Sequence, residues 1–361
     1  MKLAAARFQP LRMRLREPLV TSRGQLTIRE GFVLKLCASS GLVGMGEAAP
    51  AYWIGGESIE MTRASLESIV KLVERGGDSA SLRDAAFTGS EKLRITASAT
   101  CALDTALLDL EARSRGLPVT KLLGGDSTRP VPVCALLRSR TADELSRESR
   151  IASDRGYTTF KLKVGGDAIE GDVAKLAAIR AAVGDAARIR LDANRAWEFA
   201  GAVTALRRFG AHAIEFIEEP LRDPTPAALE KLGAETGVSV ALDESVDTAA
   251  QLNKFLDQRC ADFIVLKAAR LGGPSRCVEL ARIIAAAGPK LVVTDSLESA
   301  IGMSLAVHLA SAVSGALAVG LAGARFVADA EEIPPCFREP VELEPCGPGL
   351  DVALPAANSP R

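Results

Sequence analysis

Histidine is nearly missing from this chain of 361 residues, which has only His212 and His308. That excludes a histidine-rich metal site and leaves no spare partner for a Ser-His-Asp triad, so any chemistry falls to carboxylates and lysines. Paired cysteine spacing is missing too. The seven cysteines, at 37, 101, 134, 260, 277, 336 and 346, are scattered and odd in number, with no CxxC or CxxH. Such a pattern argues against a disulfide framework or a zinc site and fits a reducing cytoplasm. Neither sign of charge is in excess, 44 Lys and Arg standing against 45 Asp and Glu, so no basic field exists to draw in nucleic acid or an anionic membrane. No run reaches the roughly 18 apolar residues of a membrane span. The opening MKLAAARFQPLRMRLREPL puts arginines where a signal peptide needs apolar residues. The expected partner is a small molecule and the expected location the cytoplasm.

What is present is length, hydrophobicity and rhythm. With 48% hydrophobic residues, the chain can bury a barrel of about 200–250 residues and a smaller domain besides. From residue 131 onward, short β-rich runs alternate with stretches of helical period. Eight runs occur: VPVCALL from Val131, TTFKLKVG from Thr158, RIRLDAN from Arg188, AIEFIEEP from Ala213, VSVALDES from Val238, DFIVLKAA from Asp262, KLVVTDS from Lys290 and GALAVGLAG from Gly315. Eight β-α units close a TIM-like (β/α)₈-type barrel, expected over 126–330. Ahead of it, strand-like LAAARFQPLRMRL and GFVLKLCAS and helical Ile59–Arg75 and Leu93–Arg115 predict an α+β capping domain over 1–125. The Pro- and Gly-rich segment 331–361 is expected to return to that domain. GLVGMGEAAP reads as a tight turn rather than a nucleotide loop, since it opens no helix. Barrel helices can pack on solvent or on a second copy, so a homo-oligomer stays open.

Catalytic groups of such barrels sit at the C-terminal ends of the strands. Here those ends carry Lys161 and Lys163, Asp192 and Asn194, Glu218 and Glu219, Asp243 and Glu244, Lys267, and finally Asp295, Ser296 and Glu298. Lys163, Asp192, Glu218, Asp243, Lys267 and Ser296 follow one another at 24 to 29 residues, the length of one β-α unit. Side chains alternate along a strand, so Lys161 and Lys163 share the inward face while Leu162 and Val164 take the other. Asp192, Glu218 and Asp243 form an arc whose mutual repulsion a hard divalent cation such as Mg²⁺ would relieve. Lys267 falls across the ring from Lys163, which places a metal-bound carboxylate between two amines able to act on its α-hydrogen. Lys161 and the cation would supply the positive charge that tunes the base. Glu219 and Glu244 read as helix caps or loop residues, and His308 within LAVHLA as a packed helix residue without a role.

These residues resemble the enolase superfamily, and within it the muconate-lactonizing-enzyme subgroup, with its KxK on strand two, metal ligands on strands three to five and lysine on strand six. ALDTALLDLEARSRGLPVTKLLGG (Ala102–Gly125) resembles its linker helix, and Glu47 lies in its capping domain. TSRGQLTIREGFVLKL, RLDANRAW and TDSLESAIG are similar to o-succinylbenzoate synthases. That resemblance implies an Mg²⁺- or Mn²⁺-dependent lyase of menaquinone biosynthesis, which removes water from 2-succinyl-6-hydroxy-2,4-cyclohexadiene-1-carboxylate. It implies Lys163 as the base, Lys267 as the facing ammonium with Lys161 beside them, Asp192, Glu218 and Asp243 as metal ligands, and Ser296, Glu298, Asn194 and Arg29 around the substrate. The Thr21–Arg29 and Pro50–Gly56 loops are expected to close over the site. The alternative is an isomerase, racemising N-succinylamino acids or epimerising dipeptides. Dipeptide epimerases carry an Asp-x-Asp near the end of strand eight, where this chain has VGLAGARF. Ala268 and PAYWIGG also depart from the family pattern.

Overall fold

The computed structural model describes residues 1–21, 24–53, 56–87, 95–313, 317–321, 337 and 341–352. Its first part is an antiparallel sheet of β1 (Leu3–Thr21), β2 (Gly24–Ala38) and β3 (Val43–Ala48), in that order. It is followed by α1 (Ile59–Glu74), α2 (Ser79–Phe87), α3 (Ala97–Arg115) and α4 (Val119–Leu122). Local chemistry sets the helix starts. The Ser58 side chain accepts from Met61 N, and Thr96 accepts from Ala99 N, which moves the start of the third helix from the expected Leu93 to Ala97. The expected loop over Thr21–Arg29 is instead a two-stranded ribbon, since the β1–β2 pairing resumes at Leu19↔Leu26 and runs to Thr21↔Gly24. Its tip, residues 22–23, lies outside the described residues.

The glycines of GLVGMGEAAP correct another expectation. Only the first, Gly41, is in the turn, with φ 88°; Gly44 and Gly46 are in β3, facing the backbone of α3. A Cβ on Gly44 would run into the carbonyl oxygen of Ala106, and one on Gly46 into that of Ala102. Strand and helix touch because these side chains are absent.

The second part is a barrel. Strands β5 (Ala135–Leu137), β6 (Thr159–Lys163), β7 (Arg188–Asp192), β8 (Phe216–Glu218), β9 (Val240–Leu242), β10 (Phe263–Leu266) and β11 (Lys290–Val293) are parallel neighbours in sequence order. Between them run α5 (Ala142–Asp154), α6 (Ile169–Val183), α7 (Phe199–Phe209), α8 (Pro226–Thr236), α9 (Ala249–Leu256), α10 (Ala268–Leu271) and α11 (Pro274–Ala287), with α12 (Ala300–Val313) after the last. The eighth run closes the ring through residues 318–320. Val319 N donates to Pro132 O at 2.8 Å on one side, and Gly320 N to Val293 O at 3.0 Å on the other. The first run is divided. Its start, β4 (Val131–Pro132), pairs antiparallel with β12 (Glu342–Leu343), and only Ala135–Leu137 joins β6. Among the described residues no helix is long and apolar enough to cross a membrane.

The two parts and the tail meet on buried polar groups. The Asp109 carboxylate, on α3, accepts from Met45 N at 2.9 Å, Arg113 Nε at 3.0 Å and Leu350 N at 2.8 Å. On α12, buried His308 accepts at Nδ1 from Thr120 N at 3.2 Å, and burial pushes its pKa down to about 4.

Two outcomes follow. Gly46→Ala forces a methyl group into the Ala102 carbonyl and lowers stability by about 2 kcal/mol in urea denaturation; an unchanged midpoint would show that β3 does not need this close approach. His308 stays neutral in the fold but titrates near 6.5 when unfolded. Its contribution is therefore complete above about pH 6.5 and is lost as pH falls towards about 4, by up to about 3 kcal/mol. Denaturation of His308→Gln against the parent across that range should show a flatter acid limb; parallel limbs would remove His308 as the cause.

Candidate active site

The two-residue period of the strands sorts the barrel's chemistry from its packing. Phe160, Leu162, Ile189, Leu191, Ile217, Leu242, Ile264, Leu266, Leu291 and Val293 belong to the main core, while Phe216, Ala241, Phe263, Val265 and Val292 form a small separate cluster. In β10 the alternation is plain: Phe263 and Val265 belong to the small cluster, and Lys267, next on that face, reaches the barrel mouth. Pairing brings the mouth residues level, with Lys163 opposite Asp192 and Asp192 opposite Glu218. A cavity of about 840 Å³ opens there. Lys161, Lys163, Asp192, Asn194, Glu218, Asp243, Lys267 and Ser296 all lie on its wall, so most of the expected site residues are brought together. The order β11-β10-β9-β8-β7-β6-β5 sets β6 and β10 four strands apart in a ring of eight. Lys163 and Lys267 therefore face each other, with the carboxylates on one arc between them.

The two lysines of the KxK differ sharply. Lys161 Nζ lies 2.9 Å from Asp192 Oδ2 and 2.7 Å from Glu218 Oε2. Burial opposes its charge, but the two carboxylates outweigh burial and raise its pKa. Lys163 is exposed to the cavity and has no hydrogen-bond partner among the described residues. Lys267 Nζ is bonded to Asp243 Oδ2, whose other oxygen takes Arg270 Nη1 at 2.9 Å. Burial works against ionisation of Asp243, yet Lys267 and Arg270 overcome it and hold the carboxyl well below the usual range. Glu218 goes the other way, pushed up to about 8 by burial and then by the charge of Asp192.

Lys161 and Lys267 supply the nearest countercharge to the three carboxylates of the arc, as buried like charges require. The donor set still fits a hard cation. Glu218 Oε1 and Glu244 Oε2 are buried without a hydrogen-bond partner among the described residues, and both residues line the cavity.

Arg29 and Glu298 stand apart from the other expected substrate contacts. Neither is on the cavity wall. Arg29 is buried against the ring of Trp53, 4.7 Å from its centroid, and Trp53 is what faces the cavity. Glu298 takes the backbone N–H of Ser296, and burial, then Asp295 and Glu47, push its carboxyl up to about 8. Both therefore lie behind the wall, Glu298 bonded to the main chain of Ser296, whose buried Oγ has no partner among the described residues. Ala51, Trp53 and Gly56 line the cavity from the capping side, and residues 54–55 lie outside the described residues.

Some residues escaped the sequence reading. Arg270 follows Lys267 by one helical turn, a placement with no signature of its own. Glu219 and Glu244, read as caps, are buried or nearly so.

Residues 144–354 match the family described as enolase C-terminal domain-like, and 4–124 match the mandelate racemase / muconate lactonizing enzyme N-terminal domain. The chain belongs to the enolase superfamily. Among superfamily members it is 30% identical over 314 residues to L-Ala-D/L-Glu epimerase of Bacillus subtilis, covering 86% of this chain and 85% of that one. It is 27% identical over 311 residues to N-succinyl-L-Arg/Lys racemase of Bacillus cereus, with 86% and 84% covered. A solved dipeptide epimerase from Enterococcus faecalis, complexed with Mg and the dipeptide L-Leu-L-Tyr, superposes with a TM-score of 0.84 at 25% identity, over 95% of this chain and 97% of that one. These superfamily relatives are isomerases by name. They set the isomerase alternative ahead of the lyase implied by TDSLESAIG.

In this superfamily member Lys161 should bear on stability. Lys161→Met leaves Asp192 and Glu218 buried without their ammonium and should cost about 3 kcal/mol in urea denaturation with chelator present. A loss below about 1 kcal/mol would show that the carboxylates find other countercharge.

Proposed function

We propose that the protein racemises or epimerises an α-amino carboxylate whose nitrogen is acylated, moving the α-proton between Lys163 and Lys267. The observation that carries this reading is the facing of two lysines across one cavity, from strands four apart in the ring. A base on each face of the α-carbon is what inversion requires. Lys163, with no hydrogen bond to surrender among the described residues, is the better placed of the KxK pair to take a proton; Lys161 is pinned between Asp192 and Glu218. Asp192, Glu218 and Asp243 would hold Mg²⁺ or Mn²⁺. When bound, the cation supplies positive charge to the substrate carboxylate and so makes the adjacent C–H more acidic. Ser296 and Asn194 would contact the substrate, and Trp53 would cover it.

An acylated nitrogen is favoured over a free one by the sequence of the eighth run. VGLAGARF holds no carboxylate pair to receive an ammonium group. The names of the relatives, which include a racemase of N-succinylated Arg and Lys, support the same class.

The test is α-deuterium uptake from D₂O into each enantiomer of a panel of N-succinylamino acids, with Mg²⁺. Exchange and inversion should appear, vanish with EDTA, and fall at least about 100-fold in Lys163→Ala and in Lys267→Ala. Dehydration of the cyclohexadiene carboxylate at a higher kcat/KM than any inversion would overturn the proposal in favour of the lyase.

A further inference from the structure

Behind the carboxylate arc lies a fourth acid that the proposed reaction does not use. Glu219 follows Glu218 at the end of β8, and its side chain is completely buried. Its carboxylate accepts four hydrogen bonds. Oε1 takes the backbone N–H of Asp243 at 2.8 Å and that of Ser245 at 2.7 Å. Oε2 takes Ser245 Oγ at 2.8 Å and Arg195 Nε at 3.2 Å. The main chain adds a further link, Arg195 N donating to Glu219 O at 2.7 Å. One side chain thus grips the segment after β9 that carries Asp243 and the segment after β7 that follows Asp192, while being bonded through the backbone to Glu218.

The conformation at these positions is costly for the residues found there. Glu219 has φ 44°, Asn194 φ 41° and Arg195 φ 62°, in the left-handed region that favours glycine. Residues persist there when their surroundings over-determine them, and the hydrogen bonds around Glu219 do so. Arg195 supplies the countercharge, and the N–H and O–H donors satisfy the remaining lone pairs, so the buried carboxylate is fully matched.

We infer that Glu219 is a positioning residue, one that sets the separation of Asp192, Glu218 and Asp243 and so the affinity of the arc for a divalent cation. The inference rests on the proposed cation site. Its physical basis is that groups orienting metal ligands govern affinity nearly as strongly as the ligands themselves. Removal of the carboxylate would release the main chain at Asp243 and Ser245 and leave the Arg195 guanidinium without its countercharge, held only by its 3.0 Å bond to Ser245 Oγ, whereas a glutamine would keep the Oε1 bonds and spoil only those to Oε2.

Direct titration of chelator-treated protein with Mn²⁺, followed by paramagnetic resonance and calorimetry, reads this without turnover. Glu219→Ala should bind Mn²⁺ about 10- to 100-fold more weakly than the parent, and Glu219→Gln within a few-fold of it. If Glu219→Ala does not fold, Ser245→Ala and Arg195→Met, each removing a single donor to Oε2, should weaken Mn²⁺ by smaller steps while thermal unfolding stays cooperative. Parent-like Mn²⁺ affinity in a folded Glu219→Ala, or in both single-donor variants, would overturn the positioning role and leave the reaction proposal standing. A parent protein that binds no Mn²⁺ would overturn the cation site itself.

Discussion

Lys161 joins Asp192 and Glu218 through one ammonium group, and the barrel mouth depends on that triplet. Parallel register leaves little choice, since Asp192 and Glu218 are directly paired neighbours and both side chains point inward. Two buried carboxylates so close cannot both ionise without compensation. Lys161 supplies it from the adjacent strand, and Lys267 with Arg270 does the same for Asp243. The effect on chemistry is selective. Neutralising the arc engages Lys161 but leaves Lys163, two residues further along the same face, exposed to the cavity without a hydrogen bond among the described residues.

Acidic side chains of the first part also organise the second, in each case by receiving backbone N–H groups. Glu47, on β3, accepts from Ser299 N at 3.0 Å and Gly302 N at 3.2 Å, and thereby caps α12 from outside its own sequence. Asp104, on α3, takes Ser275 N at 2.8 Å at the start of α11, and burial pushes it up to about 6. Asp109 closes the set by holding β3 and the tail to α3. Through these contacts the sheet that carries Arg29 is fixed against the barrel. Arg29 in turn supports Trp53 at the cavity wall.

How much of this was legible in the sequence depends on the range of the interaction. A strand period of two and a β-α spacing of 24 to 29 residues are local, so Lys163, Asp192, Glu218, Asp243 and Lys267 could be set around one mouth without coordinates. Glu219 could not be read the same way, because its four donors lie 24 and 26 residues away and its left-handed backbone leaves no trace in residue type. Gly44 and Gly46 misled for the opposite reason. Glycine suggests a turn locally, while the cause of its presence is a helix some 60 residues on. The Thr21–Arg29 ribbon was missed because its pairing resumes only after a register shift between Arg14 and Leu19.

The choice among reactions on such a scaffold reduces to which lysine can exchange a proton. A dehydratase needs one mobile lysine, and the second need offer only positive charge. An isomerase needs two, each able to hold and release a proton on its own face. Lys163, exposed to the cavity, has no hydrogen bond among the described residues to break first. Lys267 is bonded to Asp243 and shares that carboxylate with Arg270, which also bonds Asp247. Arg270 leaves Asp243 matched by a cation even when Lys267 turns away towards substrate, whereas Lys161 is the one cation among the described residues that is ion-paired to Asp192 and Glu218. The two ion clusters thus hold Lys161 by two carboxylates but Lys267 by a single one that Arg270 shares, which is the distribution that the proposed proton transfer across the α-carbon calls for.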